Sequence, residues 1–506
     1  MPLGQTTYDE VPYPSAVFPQ THPNRLAVIA ELLGLNPAPP DRCRVLEVGC
    51  GDGLNLIALA HAFPQIHVEG FDLAASAIQR GLAIVRGLGL SNVRLTVADL
   101  LDYQPDGVFD YIIAHGLFSW VPEDARRRLL DICQRALAPQ GVAFISYNAL
   151  PGFHARRLVR DALRFHTAHF TDPKTKIEQA QAMLTLMLDR RPRDEYTALL
   201  CHEAAWIVNN DNTAVLFHDD LAEINEPFLF QDFMARAERH GLQFLAEADF
   251  HEMSTEEFPP RVSTVLRPMN VLQREQYMDF LKCRRFRQTL LVHAEAAIDR
   301  ALLAERLSTM LISTEAWPDR SVIDLSEGVP VRFRVRSGAS MTLDQPWQKA
   351  AFSVLQAQGR RPVPFDEIIS QANQLLNRTP RSEDAVTLTA LLLQGFGAGL
   401  IELHRVRPRW SNDPGEKPRL NALARWQLEH GEYQLTSLRP AMVRVSSPSK
   451  RHILRRLDGQ HDRDALERDL ARHVDSGQIR LPVEVSSLAK FVADCLSEAA
   501  REALLE

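Results

Sequence analysis

Val45-Leu46-Glu47-Val48-Gly49-Cys50-Gly51-Asp52-Gly53 is an apolar run that stops in a glycine-rich turn, and Leu54 opens the segment that follows. Glycines at such a junction allow positive φ and let backbone come close to a ligand. In open α/β sheets, ligands lie at the carboxyl ends of the strands. A dinucleotide site calls for G-x-G-x-x-G, which turns a helix N-terminus toward a pyrophosphate. Here Gly49, Gly51 and Gly53 are spaced G-x-G-x-G, and Glu47 precedes them on the strand. An acid aimed at that turn repels pyrophosphate and suits a cationic amino acid moiety beside a sulfonium. Spacing and charge together predict S-adenosylmethionine as the cofactor.

Outward from this stretch, strands and helices alternate at βαβ spacing. Short apolar runs fall at Arg44–Val48, His67–Phe71, Val93–Val97, Phe109–Ala114 and Val142–Ser146, with helical segments at Leu54–Phe63, Ala75–Leu88 and Ala125–Leu137. Leu137-Ala138-Pro139-Gln140-Gly141 reads as a helix end and turn before the fifth strand. Two later strands, Leu242–Ala248 and Phe286–Val292, can pair antiparallel. The pattern predicts a doubly wound, seven-stranded Rossmann-like α/β sheet with helical insertions. Upstream, Thr21 and Pro23 start a helix with Leu26, Ile29, Ala30 and Leu33 on one face, and Gly34 ends it.

A chain of 506 residues exceeds one hydrophobic core. We divide it into an N-terminal lid and helix (1–40), a cofactor-binding core (41–154), a helical insertion (155–212), the rest of the sheet with a regulatory domain (213–300), a winged-helix-like domain (301–410) and a C-terminal domain (411–506). The region beyond 300 is thus expected to be mixed α+β. Polar, proline-rich Met1 to Ser15 does not resemble a secretory signal. Ala385 to Ile401, broken by Gln394 and three glycines, is too short and interrupted to insert in a membrane. The six cysteines lack any CxxC pair, which argues against a metal site and for a reducing, cytoplasmic setting. Residues 1–300 hold 29 basic against 38 acidic side chains. That excess disfavours nucleic acid, whose binding draws on Lys and Arg, and suits a cationic acceptor.

Further acids stand in register with the turn. Asp72 ends the second strand, 19 residues after Gly53, where a carboxylate can accept both ribose hydroxyls. Asp99 ends the third strand and can accept from the adenine amine, with Leu100 against the ring. On the acceptor side, His115-Gly116-Leu117-Phe118-Ser119-Trp120 follows strand four, and Tyr147-Asn148 closes strand five. Trp120, Phe118 and Tyr147 can wall a channel that favours an amine by cation–π contact; for Trp120 and Phe118, plain core packing competes. Asn148 can orient a nucleophile or form a turn, and His115 can accept a proton, contact the cofactor or serve the core. Tyr8-Asp9-Glu10-Val11-Pro12-Tyr13-Pro14-Ser15, aromatic and acidic, can close over the cofactor as a lid.

Several pieces resemble a group of bacterial methyltransferases with a methyltransferase regulatory domain, which includes protein-lysine methyltransferases acting on outer-membrane proteins. They are Tyr8 to Tyr13, Thr21-His22-Pro23, Glu47 to Gly53 with Asn55-Leu56, His115-Gly116, Ser119 to Pro122, Tyr147-Asn148, Pro151-Gly152, and Arg274 to Phe280 with Arg284 to Arg287. The resemblance implies a class I fold, S-adenosylmethionine, an N-terminal lid, lysine N-methylation and homodimers. Tyr13, Asn55 and Leu73 complete the candidate cofactor set. A protein-lysine methyltransferase is the leading expectation. A small-molecule or biosynthetic methyltransferase and a non-catalytic cofactor-binding regulator are the alternatives.

Overall fold

The computed structural model describes residues 6–210, 212–482, 485 and 487–506; Met1–Gln5 of the expected lid lie outside them. A short helix α1 (Thr7–Glu10) and α2 (Pro23–Leu32) precede the sheet. Pro23 takes the first helical position of α2, and His22 Nδ1 accepts from the Asn24 amide at 3.1 Å, so chemistry already visible in the sequence starts this helix. Then β1 (Arg44–Val48), α3 (Leu54–Ala62), β2 (His67–Asp72), α4 (Ala75–Leu88), β3 (Val93–Val97), β4 (Phe109–Ala114), α5 (Glu123–Ala136) and β5 (Leu137–Asn148) alternate. Helices α6 (Phe153–Thr167), α7 (Pro173–Asp189) and α8 (Glu195–Asn209) form the insertion, and α9 (Thr213–Val215) runs into a π-helical turn, Leu216–Asp220. The sheet is completed through α10 (Phe230–Arg239), β6 (Leu242–Glu247), α11 (Pro260–Leu266), α12 (Val271–Lys282) and β7 (Phe286–His293).

Strand order is β3-β2-β1-β4-β5-β7-β6, with β1 to β5 parallel and β7 antiparallel to both neighbours. The reversal of direction from β1 outward places the Gly49–Gly53 turn at the topological switch point. Central β1 is buried on both faces, Val45 toward one helical layer and Leu46 and Val48 toward the other, as a covered parallel strand requires. One reading is corrected. Leu137–Gly141 is not a turn but the start of β5, with Leu137 opposite Phe109 and a register break between Phe109 and Tyr111. The irregularity absorbs residues that look turn-like in sequence.

Helix α4 crosses the β1 turn closely: a Cβ on Gly81 would lie 1.9 Å from the Asp52 carbonyl oxygen. Only glycine permits that approach. Beyond residue 300, strands 311–314, 363–364 and 401–404 form one three-stranded sheet, and 317–318, 331–334 and 340–343 another, around a second core that includes Phe333, Phe352 and Leu392. The hairpin expected at 331–343 is present. A final unit with its own core covers Leu420–Leu505 and holds helices 422–429, 448–455, 463–475 and 488–501 beside the hairpin 434–444. It leans on the sheet through Trp426, whose indole nitrogen would lie 2.3 Å from a Cβ on Gly87 of α4. Among the described residues, no helix is long and apolar enough to cross a membrane.

The end of the sheet is tied by buried charge. Arg287 on β7 is fully buried; its guanidinium donates to Glu247 Oε1 at 2.6 Å and to both Asp279 oxygens at 2.9 and 2.8 Å, with Phe230 beneath it at 4.0 Å. Arg284 donates to the same Asp279 at 2.9 Å. Paired charges of this kind hold geometry, and removing one partner strands the others in a dry interior. Arg287→Ala is expected to cost about 3–5 kcal/mol in urea unfolding. The exposed change Arg42→Ala is expected to stay within about 0.5 kcal/mol.

Candidate active site

The carboxyl end of β1 builds the centre of the site. Gly49, Gly51 and Gly53 all take positive φ (69°, 59° and 72°). The amides of Gly49 and Cys50 donate to the Phe71 carbonyl at 3.0 and 3.1 Å, which clamps the turn to β2. Asp72 completes the clamp: its two oxygens accept from the Gly51 amide at 2.8 Å and the Ala74 amide at 2.9 Å. Burial raises the Asp72 pKa against these bonds. Above Gly51 the space is open, with nothing within 4 Å of where a Cβ would stand.

Glu47 is only 3% exposed. Its Oε1 accepts from Asn55 Nδ2 at 3.0 Å, while Oε2 is buried without a donor. Burial, opposed by the Asn55 bond and aided by Asp52 and Asp72, pushes its carboxyl up to about 8. A dry carboxylate with an unfilled acceptor fits a cationic group, which is what the amino end of S-adenosylmethionine offers. Farther along the edge, Asp99 Oδ1 accepts from the Leu101 amide at 2.9 Å. Leu100 packs against the apolar layer under the sheet, and Leu73 is exposed. The expected cofactor residues thus line one edge.

The acceptor-side residues divide. Ser146 Oγ accepts from the Gly116 amide at 2.8 Å and lies 2.9 Å from His115 Nδ1. Burial lowers the His115 pKa to about 4, so the ring is neutral at pH 7. Trp120 is half-buried with its indole N–H unpartnered, and Asn148 Nδ2 donates to Asn225 Oδ1 at 2.7 Å. Tyr147 is a correction: it is fully buried, stacked on Phe233 at 4.1 Å, and walls no channel. Phe118 joins it in the same core, 5.1 Å from Phe233. Side chains alternate along a strand, so Ser146 and Asn148 face away from Tyr147.

Residues 6–22 form a strap along this edge. Asp9 accepts from the Ser76 amide at 3.1 Å at the start of α4, and Ser15 donates to Asp52. The Phe18 amide donates to Asn55 Oδ1 at 3.0 Å, with its ring 4.1 Å from His115. Tyr8 stacks on His218 at 4.0 Å, and Tyr13 donates to Asp219 Oδ1 at 3.4 Å. Sequence reading missed Phe18, Ser146, His218, Asp219 and Asn225. None lies in a motif, and only the alternation of β5 pointed to Ser146. Elsewhere, His452, Asp469 and His473 come within ligand distance of one another, but Arg456 and Arg472 already pair with Asp469 at 3.3 and 3.1 Å.

A glycine turn at the switch point, a buried acid behind it and an acid ending the next strand define a class I, S-adenosylmethionine-dependent methyltransferase. The family described as "Methyltransferase domain" matches residues 45–141, "Predicted methyltransferase regulatory domain" matches 212–293, and "PKMT, C-terminal winged helix domain" matches 416–505. Protein RP789 of Rickettsia prowazekii is 32% identical over 491 residues, covering 94% of this chain and 88% of that one. The structure of PKMT2 from Rickettsia typhi in complex with AdoHcy superposes with a TM-score of 0.87 at 27% identity, over 98% of this chain and 100% of that chain. A trans-aconitate 2-methyltransferase of Variovorax paradoxus is 30% identical over 195 residues, 38% of this chain and 68% of that one. The chain belongs to the family of methyltransferases that join this core to a regulatory domain and a C-terminal winged helix.

The raised Glu47 pKa sets a sign. Between its ordinary value near 4.5 and about 8, the folded protein holds a proton that the unfolded chain has released. The stability it contributes is present below about pH 4.5 and is lost as pH rises to about 8. In the cofactor-free protein, Glu47→Gln is therefore expected to stabilise by about 1–3 kcal/mol at alkaline pH. Thermal unfolding near pH 4 is expected to show no difference.

Proposed function

We propose that the protein transfers a methyl group from S-adenosylmethionine to lysine side chains of a protein. The observation that carries this reading is the whole-length likeness to PKMT2, which includes the two units beyond residue 300. The match to the trans-aconitate enzyme takes in little more than a third of the chain, so the rest serves something that a small acceptor does not need. Acidic residues along the strap and at the strand ends support a cationic acceptor over nucleic acid. Free cysteines support a reducing, cytoplasmic setting. The exposed Phe165 and Tyr196 of the helical insertion support self-association as a homodimer.

In this reading, Glu47 and Asn55 hold the amino end of the cofactor, and Gly49, Gly51 and Gly53 let it approach the backbone. Asp72 accepts the ribose hydroxyls beside Leu73, while Asp99 and Leu100 hold adenine. Tyr13 travels with the strap that covers them, His115 borders the cofactor, and Trp120 and Asn148 border the acceptor. The bound cofactor supplies an electrophilic methyl on sulfur. The amine lone pair forms the new N–C bond, the C–S pair stays on sulfur, and the surplus ammonium proton leaves to water. Deprotonating lysine at pH 7 costs roughly 4–5 kcal/mol, which a dry site beside positive charge reduces.

Asp72→Asn keeps the side-chain shape and one acceptor for the turn, while it removes the charge and the second acceptor. Charged hydrogen bonds are worth about 1.5–3 kcal/mol, so calorimetry with S-adenosylhomocysteine is expected to show affinity reduced roughly 10–100-fold in a folded variant. Unchanged affinity removes Asp72 from the site. For the acceptor, labelled methyl from S-adenosylmethionine is expected on lysine in cell-lysate protein, with rate rising steeply from about pH 7 to 9 as the free amine grows. Label confined to small molecules would promote the biosynthetic reading.

A further inference from the structure

Two adjacent acids on the π-helical turn are treated differently by their neighbours. Asp220 is buried and gripped by the Arg156 fork at 2.8 and 2.7 Å. Asp219 makes no ion pair among the described residues, and its carboxylate accepts only the long Tyr13 bond of 3.4 Å. The position of Asp219 is nevertheless fixed through its backbone. Its carbonyl accepts from Arg160 and, at 2.9 Å, from Asn225 Nδ2, and Asn225 in turn accepts from Asn148 at the end of β5. A carboxylate held firmly in place with its own oxygens nearly unused is built to receive a donor. Single π-helical turns recur at functional sites.

Its surroundings specify the donor. Tyr8 and Tyr13 stand with ring centroids 6.3 Å apart, both beside His218. Burial first, then Asp219 and Asp72, push the Tyr8 phenol up to about 12. Tyr8 stacks on His218, the neighbour of Asp219, while the adjacent Asp9 accepts from the Ser76 amide just beyond β2, so the strap carries this ring between the π-helical turn and the cofactor edge. Burial and the neighbouring Asp220 push the Asp219 carboxyl up to about 7 against the nearby Arg156 and Arg160, neither of which forms a salt bridge with it. His218 is committed elsewhere, with Nε2 2.6 Å from the Val11 carbonyl. Aromatic faces beside an unpaired carboxylate attract an organic cation.

We propose that Asp219, with Tyr8 and Tyr13 of the strap, forms the pocket that binds the cationic amine of the methyl acceptor. The assignment rests on the lysine reading above and gives it a specificity residue. A purely structural alternative is that Asp219 only latches Tyr13 and so keeps the strap closed. Asp219→Asn separates the two, because the amide oxygen still accepts from the Tyr13 hydroxyl while the charge is gone.

The test uses the full-length protein saturated with S-adenosylhomocysteine, titrated by NMR with n-butylamine, which copies the lysine side chain, and with 1-butanol. The wild type is expected to prefer the amine, and Asp219→Asn to reduce that preference at least tenfold with S-adenosylhomocysteine affinity unchanged. Tyr8→Leu, which leaves the turn untouched, is expected to weaken the same preference and serves should Asp219→Asn fail to fold. Amine binding equal in Asp219→Asn and wild type overturns the assignment, as does a wild type with no preference for the amine. Failure of the lysine reading shows separately, as labelled methyl confined to small molecules. In that event the butylamine preference still decides whether Asp219 receives an amine.

Discussion

At the end of the central strand, Glu47 spends one oxygen on Asn55 and leaves the other facing no donor. Burying a carboxylate that way is unfavourable, and the surrounding fold is arranged so that the unfavourable state persists. β1 must be central for the acid to be dry, so both its faces are covered by helices. The chain must then turn sharply without filling the space above the acid, which is why three glycines at positive φ follow. Asp72 pins that turn from the next strand, and Gly81 lets α4 press against it. Each feature keeps this acid dry and without a cationic partner, the setting in which burial raises its pKa to about 8.

The far edge of the same sheet buries acids under the opposite rule. Glu247, Glu275 and Asp279 are as deeply placed as Glu47, yet Arg284 and Arg287 meet them with short, charge-assisted bonds. There the arginines fix β6, β7 and α12 as one unit, and Glu275, whose Oε1 has no donor, still has both guanidiniums within 3.3 Å of its other oxygen. The π-helical turn repeats the contrast on adjacent residues, Asp220 paired and Asp219 not. Among the described residues, Glu47 and Asp219 differ from these acids in lacking a cationic partner within salt-bridge distance.

Much of this was legible in the sequence. The five parallel strands could be read because covered parallel strands are apolar runs, and the glycine spacing with Glu47 was enough to choose the cofactor. Asn148 and Tyr147 were both placed at the acceptor edge, which the period of a strand forbids: adjacent residues face opposite sides. Applying that alternation would have exchanged Tyr147 for Ser146. Leu137–Gly141 was misread because proline and glycine at a strand start look like a turn. His218, Asp219 and Asn225 carried no local signal, since their meaning comes from the strap and β5 arriving beside them from more than 70 residues away.

The strap links these separate chemistries mechanically. Within one stretch of chain, Asp9 caps α4, Ser15 meets Asp52, Phe18 bonds Asn55 and covers His115, and Tyr8 and Tyr13 reach the π-helical turn. The strap thus touches the surroundings of Glu47, through Asn55, and Asp219 itself. Its foot, at Phe18, Thr21 and His22, shares a cavity of about 20 Å³ with Ser437, Leu438 and Pro440 of the C-terminal unit. The 437–440 turn and the foot of the strap therefore line one gap, and the C-terminal unit borders the segment that runs along the site.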